Sequence, residues 1–423
     1  MRILILTQYF WPEPFRINEV AESLCELGCD VTILTGQPNY PDGKIYAGYS
    51  AWQTGRHRHH GGFDIHRTPI IPRGRGSGAR LAANYLSFVL SASIVGPWLL
   101  RGKSFDVVFV YGISPILQGV PAAVFRELKR AASVIWVQDL WPQSLEVTGY
   151  VRSPRLLSTV GLLTKWIYRR ADLLLVQSEA FLDEVRSMAG PAKSIAFHPN
   201  PGDRALAQSS AGDVCVSAPL QLPAGFNVVF AGNLGSAQGL ETIVAAAAIL
   251  LKQHSDINIV VIGSGSKLEW LQAEVKRRGL HNFYITGRVS PEAMPAIFRQ
   301  ASVLLATLSN APILSQTIPS KIPSYLASER PIIACMNGEG ARIVREAGAG
   351  LTVPASDAES LAAAMVALRN MPLEERNAMA ASGRAYFDEH FSPRKLANKL
   401  IRHFEAAIRN RRNPRSDGDD SGV

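Results

Sequence analysis

The sequence predicts an α/β protein of two doubly wound domains, each built on a parallel β-sheet. Short apolar runs alternate with helix-forming segments along most of the chain, which is the pattern of strand–helix crossovers. A stretch rich in small residues and proline interrupts this alternation at residues 198–225, and the alternation restarts at residue 226. The length of 423 residues suits two domains of ordinary size. Because ligands in such sheets bind beyond the carboxyl ends of the strands, we expect a site in a central cleft between the domains.

The first domain is predicted over residues 1–200. Its strands are short apolar runs, at residues 2–6, 31–35, 106–111, 133–137, 173–177 and 194–197. Its helices are the segments between these runs, at residues 18–27, 116–130, 156–169 and 179–188. The basic stretch 50–62 has no apolar periodicity, so we expect a loop there.

The second domain is predicted over residues 201–390, and a linker-like stretch at 205–225 precedes its first strand. Its strands are expected at residues 228–231, 258–262, 283–286, 302–306 and 331–334. Its helices are expected at residues 239–251, 267–278, 291–300, 321–327, 357–369 and 373–391. A closing helix is predicted within residues 391–410. Residues 411–423 are charged and low in apolar content, which predicts a disordered tail.

The charge balance indicates an anionic partner. The formal net charge is +9, which suits nucleic acid, anionic lipid or a phosphorylated substrate. The sequence has no basic–aromatic ladder, helix-turn-helix pattern or zinc finger, and this argues against nucleic acid. Four cysteines without a CxxC pair or a zinc-binding set indicate a reduced, cytoplasmic protein. The first apolar run is too short for a signal peptide and is predicted to be a core strand.

Residues 81–100 form an uncharged stretch between Arg80 and Arg101. Its length is that of a membrane span, but polar residues and Pro97 dilute its apolar character. We therefore expect a buried or interfacial helix, with a spanning helix as the alternative. The stretch before it is basic and would suit an anionic lipid surface, through Arg67, Arg73, Arg75 and Arg80.

Three histidines lie close together in the basic stretch, at His57, His59 and His60. A cluster of this kind can hold a metal ion. However, neither a carboxylate partner nor a strand framework is evident in the sequence around it. We therefore expect a solvated loop, and we expect no metal site in this protein.

Residues 226–251 have the pattern of a phosphate-binding unit. An apolar strand ends at a loop that begins at Gly232, and a strongly helix-forming segment follows. Free N–H groups and the helix dipole favour an anion at such a helix start. The alternative is an ordinary strand–helix crossover. A second loop, at 263–266, lacks the third glycine of a dinucleotide fingerprint, which disfavours a dehydrogenase.

The order of these elements resembles the GT-B fold of retaining glycosyltransferases of the GT4 class, with two Rossmann-like domains. The resemblance runs from residue 1 to about residue 410. The narrower resemblance is to an exopolysaccharide and O-antigen subgroup, similar to colanic-acid fucosyltransferases and L-fucosamine transferases. The segments that carry it are QYFWPEPFRIN (8–18), PNYPDGK (38–44), PIIPRG (69–74), WVQDLWP (136–142), GNLG (232–235) and PSK (319–321).

The resemblance implies that the two domains bind different substrates. The second domain would bind the nucleotide-sugar donor, through Gly232, Asn233, Gly235, Gln238, Gly263, Gly265, Arg288, Val289, Pro319, Ser320 and Lys321. The first domain would bind the acceptor, through Phe15, Arg16, Asn18, Asn39 and Tyr40. No cofactor other than the donor, expected to be UDP-linked, is implied.

The sequence departs from the GT4 pattern at its charged positions. Basic residues are usual at the pyrophosphate loop, where this chain has Asn233 and Gln238. Two glutamates are usual where it has Gln316 and Ser324, so ribose recognition lacks its usual carboxylate. A glycine-rich loop after the first strand is also replaced, by the segment WPEP at 11–14. The charge of the pyrophosphate must then be balanced by the helix dipole and by Lys321 or Arg288.

Asp139 and Glu13 are the catalytic candidates. Asp139 follows a buried strand and is expected to orient the acceptor hydroxyl; the alternative is a helix N-cap. Glu13 lies on a proline-flanked loop, with a surface cap as its alternative. Asn18 meets phosphate or sugar hydroxyls or else caps the first helix. Lys321 opens a helix after a proline, where the dipole disfavours a merely solvated lysine, so we expect a contact with the donor phosphates.

The resemblance implies transfer of a deoxy- or N-acetylamino-deoxyhexose from a nucleotide sugar to a polyprenyl-diphosphate-linked saccharide. The product would be a surface polysaccharide such as O-antigen, lipopolysaccharide, capsule or exopolysaccharide. We expect the enzyme to be retaining, metal-independent and peripheral to the inner face of the cell membrane. A nucleotide-sugar epimerase is one alternative. A catalytically silent partner in a polysaccharide assembly complex is the other, suggested by the missing glutamates.

Overall fold

The computed structural model describes residues 1–74, 78–148, 153–208 and 220–412. The chain divides into two compact units. Unit 1 comprises Met1–Pro199 and the final segment from Leu396, and unit 2 comprises Asn200–Lys395. Each unit is an α/β domain with a largely parallel sheet, which confirms the predicted fold class.

Unit 1 is built on an eight-stranded sheet with the strand order β3-β4-β2-β1-β5-β6-β7-β8. Its strands are β1 (Arg2–Leu6), β2 (Asp30–Thr35), β3 (Gly55–Arg58), β4 (Asp64–Arg67), β5 (Val107–Gly112), β6 (Ala132–Val137), β7 (Leu173–Val176) and β8 (Ile195–Phe197). All neighbouring strands are parallel except β3 and β4, which pair antiparallel.

Among the described residues of unit 1, seven helices accompany this sheet, together with two short 3-10 turns at Ile116–Gln118 and Glu179–Phe181. Six of them precede unit 2 in the chain: α1 (Ile17–Glu26), α2 (Gly78–Leu99), α3 (Gly119–Leu128), α4 (Gln143–Thr148), α5 (Pro154–Arg170) and α6 (Leu182–Ala189). The seventh, at Pro393–Arg412, is the last helix of the chain and is labelled α16.

The two faces of the unit 1 sheet carry different helices. Alternate residues of a strand point to opposite faces, so Val108 of β5 packs with α2, α3, α5 and α6. Phe109 packs on the other face with α1 and α16, where its ring lies 5.0 Å from that of Phe404. Fully buried strands of parallel sheets are apolar on both faces, which is why they were recognisable in the sequence.

The predicted loop at 50–62 is partly wrong, because β3 forms there. Its sequence, GRHR, has no apolar pattern, but its basic residues pair with a carboxylate on the neighbouring strand. Arg56 and Arg58 donate hydrogen bonds to Asp64 of β4, at 3.0 and 3.2 Å. An edge strand held by charge pairs in this way does not show the alternation that predicts strands.

Unit 2 has a six-stranded sheet, entirely parallel, with the order β11-β10-β9-β12-β13-β14. Its strands are β9 (Phe226–Ala231), β10 (Ile257–Ile262), β11 (Phe283–Gly287), β12 (Val303–Thr307), β13 (Ile332–Cys335) and β14 (Gly350–Val353). Five were predicted within a residue or two, and β14 was not predicted.

The helices of unit 2 are α7 (Arg204–Gln208), α8 (Leu240–Leu250), α9 (Leu268–Arg278), α10 (Met294–Gln300), α11 (Pro312–Ser315), α12 (Lys321–Ala327), α13 (Glu339–Glu346), α14 (Ala358–Asn370) and α15 (Leu373–His390). Short 3-10 turns lie at Ser236–Gln238 and Pro291–Ala293. The expected linker begins instead with α7, and residues 209–219 lie outside the described part. The expected tail begins within α16, and residues 413–423 lie outside the described part.

Candidate active site

A cavity of about 450 Å³ opens in unit 2 at the carboxyl ends of β9 and β10. Seven residues predicted to bind the donor or its neighbourhood line it: Gly232, Asn233, Gly263, Arg288, Val289, Ser320 and Lys321. Ser264, in the predicted nucleoside loop 263–266, also lines it. Nine further lining residues were not predicted as donor-binding: Asp203, Leu206, Ala231, Ile262, Pro291, Met294, Phe298, Ser324 and Tyr325. The cavity therefore brings together residues from all four segments predicted to hold the donor.

Two glycine-bearing loops form the floor of this cavity, and they run side by side. Gly232 donates its N–H to Ile262, and Leu234 donates its N–H to Ser264, both at 2.9 Å. Gly263 has φ +144, and a Cβ there would lie 1.9 Å from the carbonyl oxygen of Gly232. Glycine is required at this position because the two backbones approach too closely for any side chain.

Gly265 and Gly235 do not line the cavity, but both support the same pair of loops. A Cβ on Gly265 would lie 2.5 Å from the carbonyl oxygen of Leu234, and one on Gly235 would lie 2.9 Å from Nδ2 of Asn233. The family resemblance implied that both glycines bind the donor. The structure shows that part of the space is needed for loop-on-loop packing.

Lys321 opens α12 and brings a positive charge to the cavity. Its Nζ donates a hydrogen bond to Oε1 of Gln238 and lies 3.6 Å from the centre of the Phe230 ring. Burial lowers the pKa of Lys321 to about 7. An anion entering the cavity would favour the protonated form of this amine.

Tyr325 fixes the helix that carries Lys321. It lies one turn further along α12 and is almost fully buried. Its hydroxyl accepts the N–H of Ala231, the last residue of β9, at 3.0 Å. The spacing of four residues places Lys321 and Tyr325 on one helix face, which is the only sequence signal that could have linked them.

Arg288 supplies a second positive charge. Its Nε donates a hydrogen bond to Oγ of Ser264, in the second glycine loop. Two predicted donor residues lie behind this surface and do not line the cavity. Gln238 is the partner of Lys321, and Pro319 packs 3.0 Å from the position of a Cβ on Gly340.

Glu13 is deeply buried in unit 1, with 1% of its surface exposed. Its carboxylate accepts three backbone N–H groups, from Asn39 at 2.8 Å, Tyr40 at 2.7 Å and Phe10 at 3.2 Å. Burial raises its pKa to about 7, and the N–H groups act in the opposite direction. The alternative of a surface cap is wrong, since Glu13 joins the loop after β1 to the loop after β2.

The predicted acceptor residues Asn39 and Tyr40 lie on the loop that Glu13 holds. The Asn39 side chain is fully buried; it donates to the carbonyl of Gln37 at 2.9 Å and accepts the N–H of Arg73 at 3.0 Å. The ring of Tyr40 lies 5.1 Å from that of Phe15, and the Arg73 guanidinium lies 5.2 Å from its centre. The structure thus groups Phe15 and Tyr40, while Asn39 serves the loop itself.

Arg16 and Asn18 were the other acceptor candidates. Arg16 stands at the N-cap position of α1 and pairs with Glu19 at 3.0 Å. Asn18 does not cap the helix, and that alternative is wrong. Its Oδ1 accepts the N–H of Trp11 at 3.0 Å, and its Nδ2 donates to the carbonyl of Glu13 at 2.8 Å. Asn18 therefore shapes the loop that carries Glu13.

Asp139 follows β6, and its carboxylate reaches the loop after the neighbouring strand β5. Its Oδ2 accepts the N–H and the hydroxyl of Ser114, both at 3.0 Å. Burial raises the pKa of Asp139, and the Ser114 bonds act in the opposite direction. Asp139 lies four residues before α4 begins at Gln143. Its location at the carboxyl ends of the strands agrees with the prediction, and its role in the reaction stays a prediction.

The histidine cluster has a carboxylate partner and a strand framework, neither of which was evident in the sequence. Among the described residues, ligand atoms of Glu22, His59 and His60 lie within 4.8 Å of one another. His59 is buried beside the β3–β4 hairpin, so the expectation of a solvated loop is wrong for it. However, Nδ1 of His59 accepts the N–H of Gly61 at 3.0 Å, so one of its two nitrogens is already engaged. The absence of a metal site stays a prediction.

Family comparisons cover most of both units. Residues 15–201 match the family described as glycosyl transferase 4-like domain, and residues 225–370 match the family described as glycosyl transferases group 1. A relative in Escherichia coli (strain K12) bears the name colanic acid biosynthesis glycosyl transferase WcaI. It is 24% identical over 339 residues, which are 77% of this chain and 81% of that protein.

Several solved structures share the fold over 96% of this chain. A sucrose-phosphate synthase from Thermosynechococcus elongatus is 18% identical, with a TM-score of 0.71 and 99% of that chain covered. Anabaena HepE in complex with UDP is 14% identical, with a TM-score of 0.68 and 100% covered. An E. coli trehalose-6-phosphate structure bound with UDP-2-fluoro glucose is 14% identical, with a TM-score of 0.70 and 99% covered.

The predicted fold, the order of the matched segments and the relative in polysaccharide synthesis agree with one another. The chain therefore belongs to the GT4 class of glycosyltransferases with the GT-B fold.

Proposed function

We propose that this glycosyltransferase takes its sugar from a nucleotide-sugar donor bound in the cavity of unit 2. The observation that carries this proposal is the convergence of Lys321 and Arg288 on two glycine-bearing loops at one edge of a parallel sheet. Positive side chains and backbone N–H groups at such an edge suit a diphosphate. Two of the proteins similar in fold hold UDP or UDP-2-fluoro glucose, which supports a UDP-linked donor.

The leaving diphosphate would be stabilised by these groups without a metal ion. The bond from the sugar C1 to the diphosphate oxygen breaks, and a bond from C1 to the acceptor oxygen forms with retained configuration. The proton of the acceptor hydroxyl is released. Lys321 and Arg288 meet the negative charge that develops on the diphosphate. We propose the retaining outcome and metal independence on the strength of the family resemblance.

The acceptor in this proposal is a polyprenyl-diphosphate-linked saccharide, and the product is a surface polysaccharide. The support is the name of the E. coli relative, which refers to colanic acid biosynthesis. Such an acceptor lies in the cell membrane, so the enzyme would work peripherally at its inner face. The net charge of +9 suits an anionic lipid surface. The donor sugar is proposed to be of the L-fucosamine type, linked to UDP, in preference to GDP-fucose.

Asp139 is proposed to orient the acceptor hydroxyl. Replacing Asp139→Asn keeps the shape of the side chain but removes its charge, and we expect turnover to fall about 100-fold or more. Ser114→Ala is the matched variant: it removes one hydrogen bond to the same carboxylate and should cost less. Turnover of Asp139→Asn equal to that of the unaltered enzyme would remove Asp139 from the mechanism.

The function is tested by a donor screen with a synthetic polyprenyl-diphosphate sugar, read by mass spectrometry. Addition of one sugar to this acceptor from a UDP-linked donor is the expected result. Release of a free, epimerised sugar without acceptor would indicate an epimerase instead. Donor binding without any turnover would indicate a silent partner in an assembly complex. Either of these results would overturn the proposed transfer.

A further inference from the structure

The helix α2 has two faces of opposite character. Residues four apart are buried on its inner face, at Asn84, Phe88, Ala92 and Gly96. Residues four apart are exposed on its outer face, at Leu86, Leu90, Ile94 and Trp98. The exposed fractions reach 60% at Leu90 and 70% at Ile94. Large apolar side chains repeated along one solvent-facing stripe need an apolar partner.

The inner face of α2 is fixed to unit 1 by polar contacts. Asn84 accepts a hydrogen bond from Nε2 of Gln8 at 2.7 Å and donates to the carbonyl of Ile71 at 2.6 Å. Ser91 donates to the carbonyl of Pro69 at 2.6 Å. The helix is long and apolar enough to cross a membrane, and a third of its most apolar window is buried. If α2 spanned a membrane, these polar groups would lie in lipid without hydrogen-bond partners. The helix therefore belongs on the surface of the unit.

The helix α5 repeats this arrangement. Its inner face buries Thr164, Ile167 and Tyr168. Its outer face exposes Leu162 and Trp166, which are four residues apart, with 66% of Leu162 exposed. Leu156 is also exposed, near the start of the helix. Both α2 and α5 contact α3 and contribute to the same hydrophobic cluster. The two exposed stripes therefore belong to the same layer of helices on one face of the unit 1 sheet.

The charged residues of α2 and α5 themselves are all basic. Neither α2 nor α5 contains an acidic residue, although the whole chain has 35. Basic residues are exposed on α5 and at both ends of α2, at Arg80, Arg101, Arg155, Lys165, Arg169 and Arg170. Arg101 lies 5.2 Å from the ring centre of Trp98, and Arg170 lies 5.4 Å from that of Trp166. Such tryptophan–arginine pairs suit the boundary between acyl chains and anionic headgroups.

We propose that α2 and α5 together form a docking surface for an anionic lipid bilayer. Both helices lie along the membrane, with their leucine, isoleucine and tryptophan side chains at the level where headgroups meet acyl chains and their basic residues among the lipid phosphates. The apolar stripes, on helices that carry no acidic residue, favour a lipid bilayer over a second protein chain as the occupant. The inference deepens the proposed function, since it rests on that function for the lipid-linked acceptor that the membrane would present.

Vesicle co-sedimentation tests this surface. The full chain is mixed with vesicles of phosphatidylcholine alone, or of equal parts phosphatidylcholine and phosphatidylglycerol. We expect binding to the anionic vesicles, weakened but not abolished by salt. The double variant Leu90→Ser/Ile94→Ser and the single variant Leu162→Ser should each bind less, by about tenfold or more for the double variant. Leu373→Ser is the matched control: this leucine of α15 in unit 2 is 59% exposed, and its loss should change nothing.

A second measurement separates this inference from the proposed function. Transfer to a short-chain, water-soluble analogue of the acceptor is assayed without vesicles, and circular dichroism checks that each variant is folded. Variants that lose vesicle binding should keep this transfer. Vesicle binding equal in the double variant and the control, or no binding by the unaltered chain, would overturn the docking surface even if transfer is normal. The docking surface would also be overturned if the unaltered chain self-associates without binding vesicles and the variants are monomeric. Loss of transfer in the unaltered chain with vesicle binding intact would refute the proposed function alone.

Discussion

Lys321, which lines the unit 2 cavity, and Gln238, which does not, are joined by a hydrogen bond from the lysine ammonium group to the glutamine side-chain oxygen. The bond links the start of α12 to the 3-10 turn that precedes α8. A neutral amide positions the amine without neutralising it. The positive charge is therefore available to an incoming anion, in a part of the cavity where water competes weakly.

Removing this charge should weaken donor binding. We expect Lys321→Met to lower the affinity for UDP by about 10- to 100-fold, since a hydrogen-bonded charge is worth about 1.5–3 kcal/mol. Isothermal titration calorimetry would measure it. Lys267→Met is the matched control, because Lys267 pairs with Glu241 on the same unit but does not line the cavity. An equal effect of the two substitutions would contradict the assignment.

The affinity for UDP should also depend on pH through Lys321. Its pKa is lowered to about 7 by burial, so the free amine predominates above pH 7. A bound diphosphate raises the pKa again, and binding then takes up a proton. Affinity should be flat below pH 7 and fall by up to about tenfold per unit above it. Titrations from pH 6 to pH 9 in the unaltered chain and in Lys321→Met would check this, since the variant should lack this decline.

The lowered pKa of Lys321 also makes the free energy of unfolding depend on pH. In the unfolded chain, Lys321 has its ordinary pKa of 10.5. Between pH 7 and that value the unfolded state binds more protons than the folded state, so this lysine makes the protein more stable as pH rises through the window. The slope of unfolding free energy against pH should be smaller in Lys321→Met.

Glu13 is predicted to hold the acceptor loops in place. In Glu13→Gln one carboxylate oxygen becomes an NH₂ group that faces backbone N–H donors. We expect the free energy of unfolding to fall by about 1–3 kcal/mol, measured by urea denaturation. Glu26→Gln, at an exposed position on α1, serves as the control. Lost activity in a Glu13→Gln protein of unchanged stability would instead favour direct participation in catalysis.

The contact between the glycine loops can be tested at Gly263. An added Cβ would lie 1.9 Å from the Gly232 carbonyl, whereas Gly279, also at positive φ, has no neighbour within 4 Å. Gly279→Ala should cost about 1 kcal/mol for backbone strain alone. Gly263→Ala should cost about 3 kcal/mol and also weaken UDP binding, because the loop must shift. Thermal unfolding and calorimetry of both variants would show whether the two effects separate in this way.

The fold was predictable wherever burial leaves an apolar run. Strands such as β1, β5 and β10 are buried on both faces and lie between glycine or polar residues. The edge strand β3 escaped prediction because charge pairs with Asp64 hold it. The helix α7 escaped because its surroundings are small and polar, although its Leu206 lines the cavity.

The candidate site was predictable as segments but not as contacts. The glycine loops and Lys321 are visible as patterns within a few residues. The bond from Lys321 to Gln238 joins positions 83 residues apart, and that from Ala231 to Tyr325 joins positions 94 apart. Glu13 meets the loop at Asn39 across 26 residues. Spacing along the chain does not reveal such pairs, because the crossovers between strands determine them.

The helix α16 returns to unit 1 after the whole of unit 2 has passed, and it places Leu400, Phe404 and Ala407 in the core on the α1 side of the sheet. During synthesis from the N-terminus, the sheet of unit 1 therefore emerges first, but the part of this face that α16 covers stays exposed until α16 arrives. Unit 2 is continuous in the chain and can complete its core earlier. A released chain that ends before residue 396 would combine a complete unit 2 with an incomplete unit 1, and a chaperone that binds exposed apolar surface should associate with it.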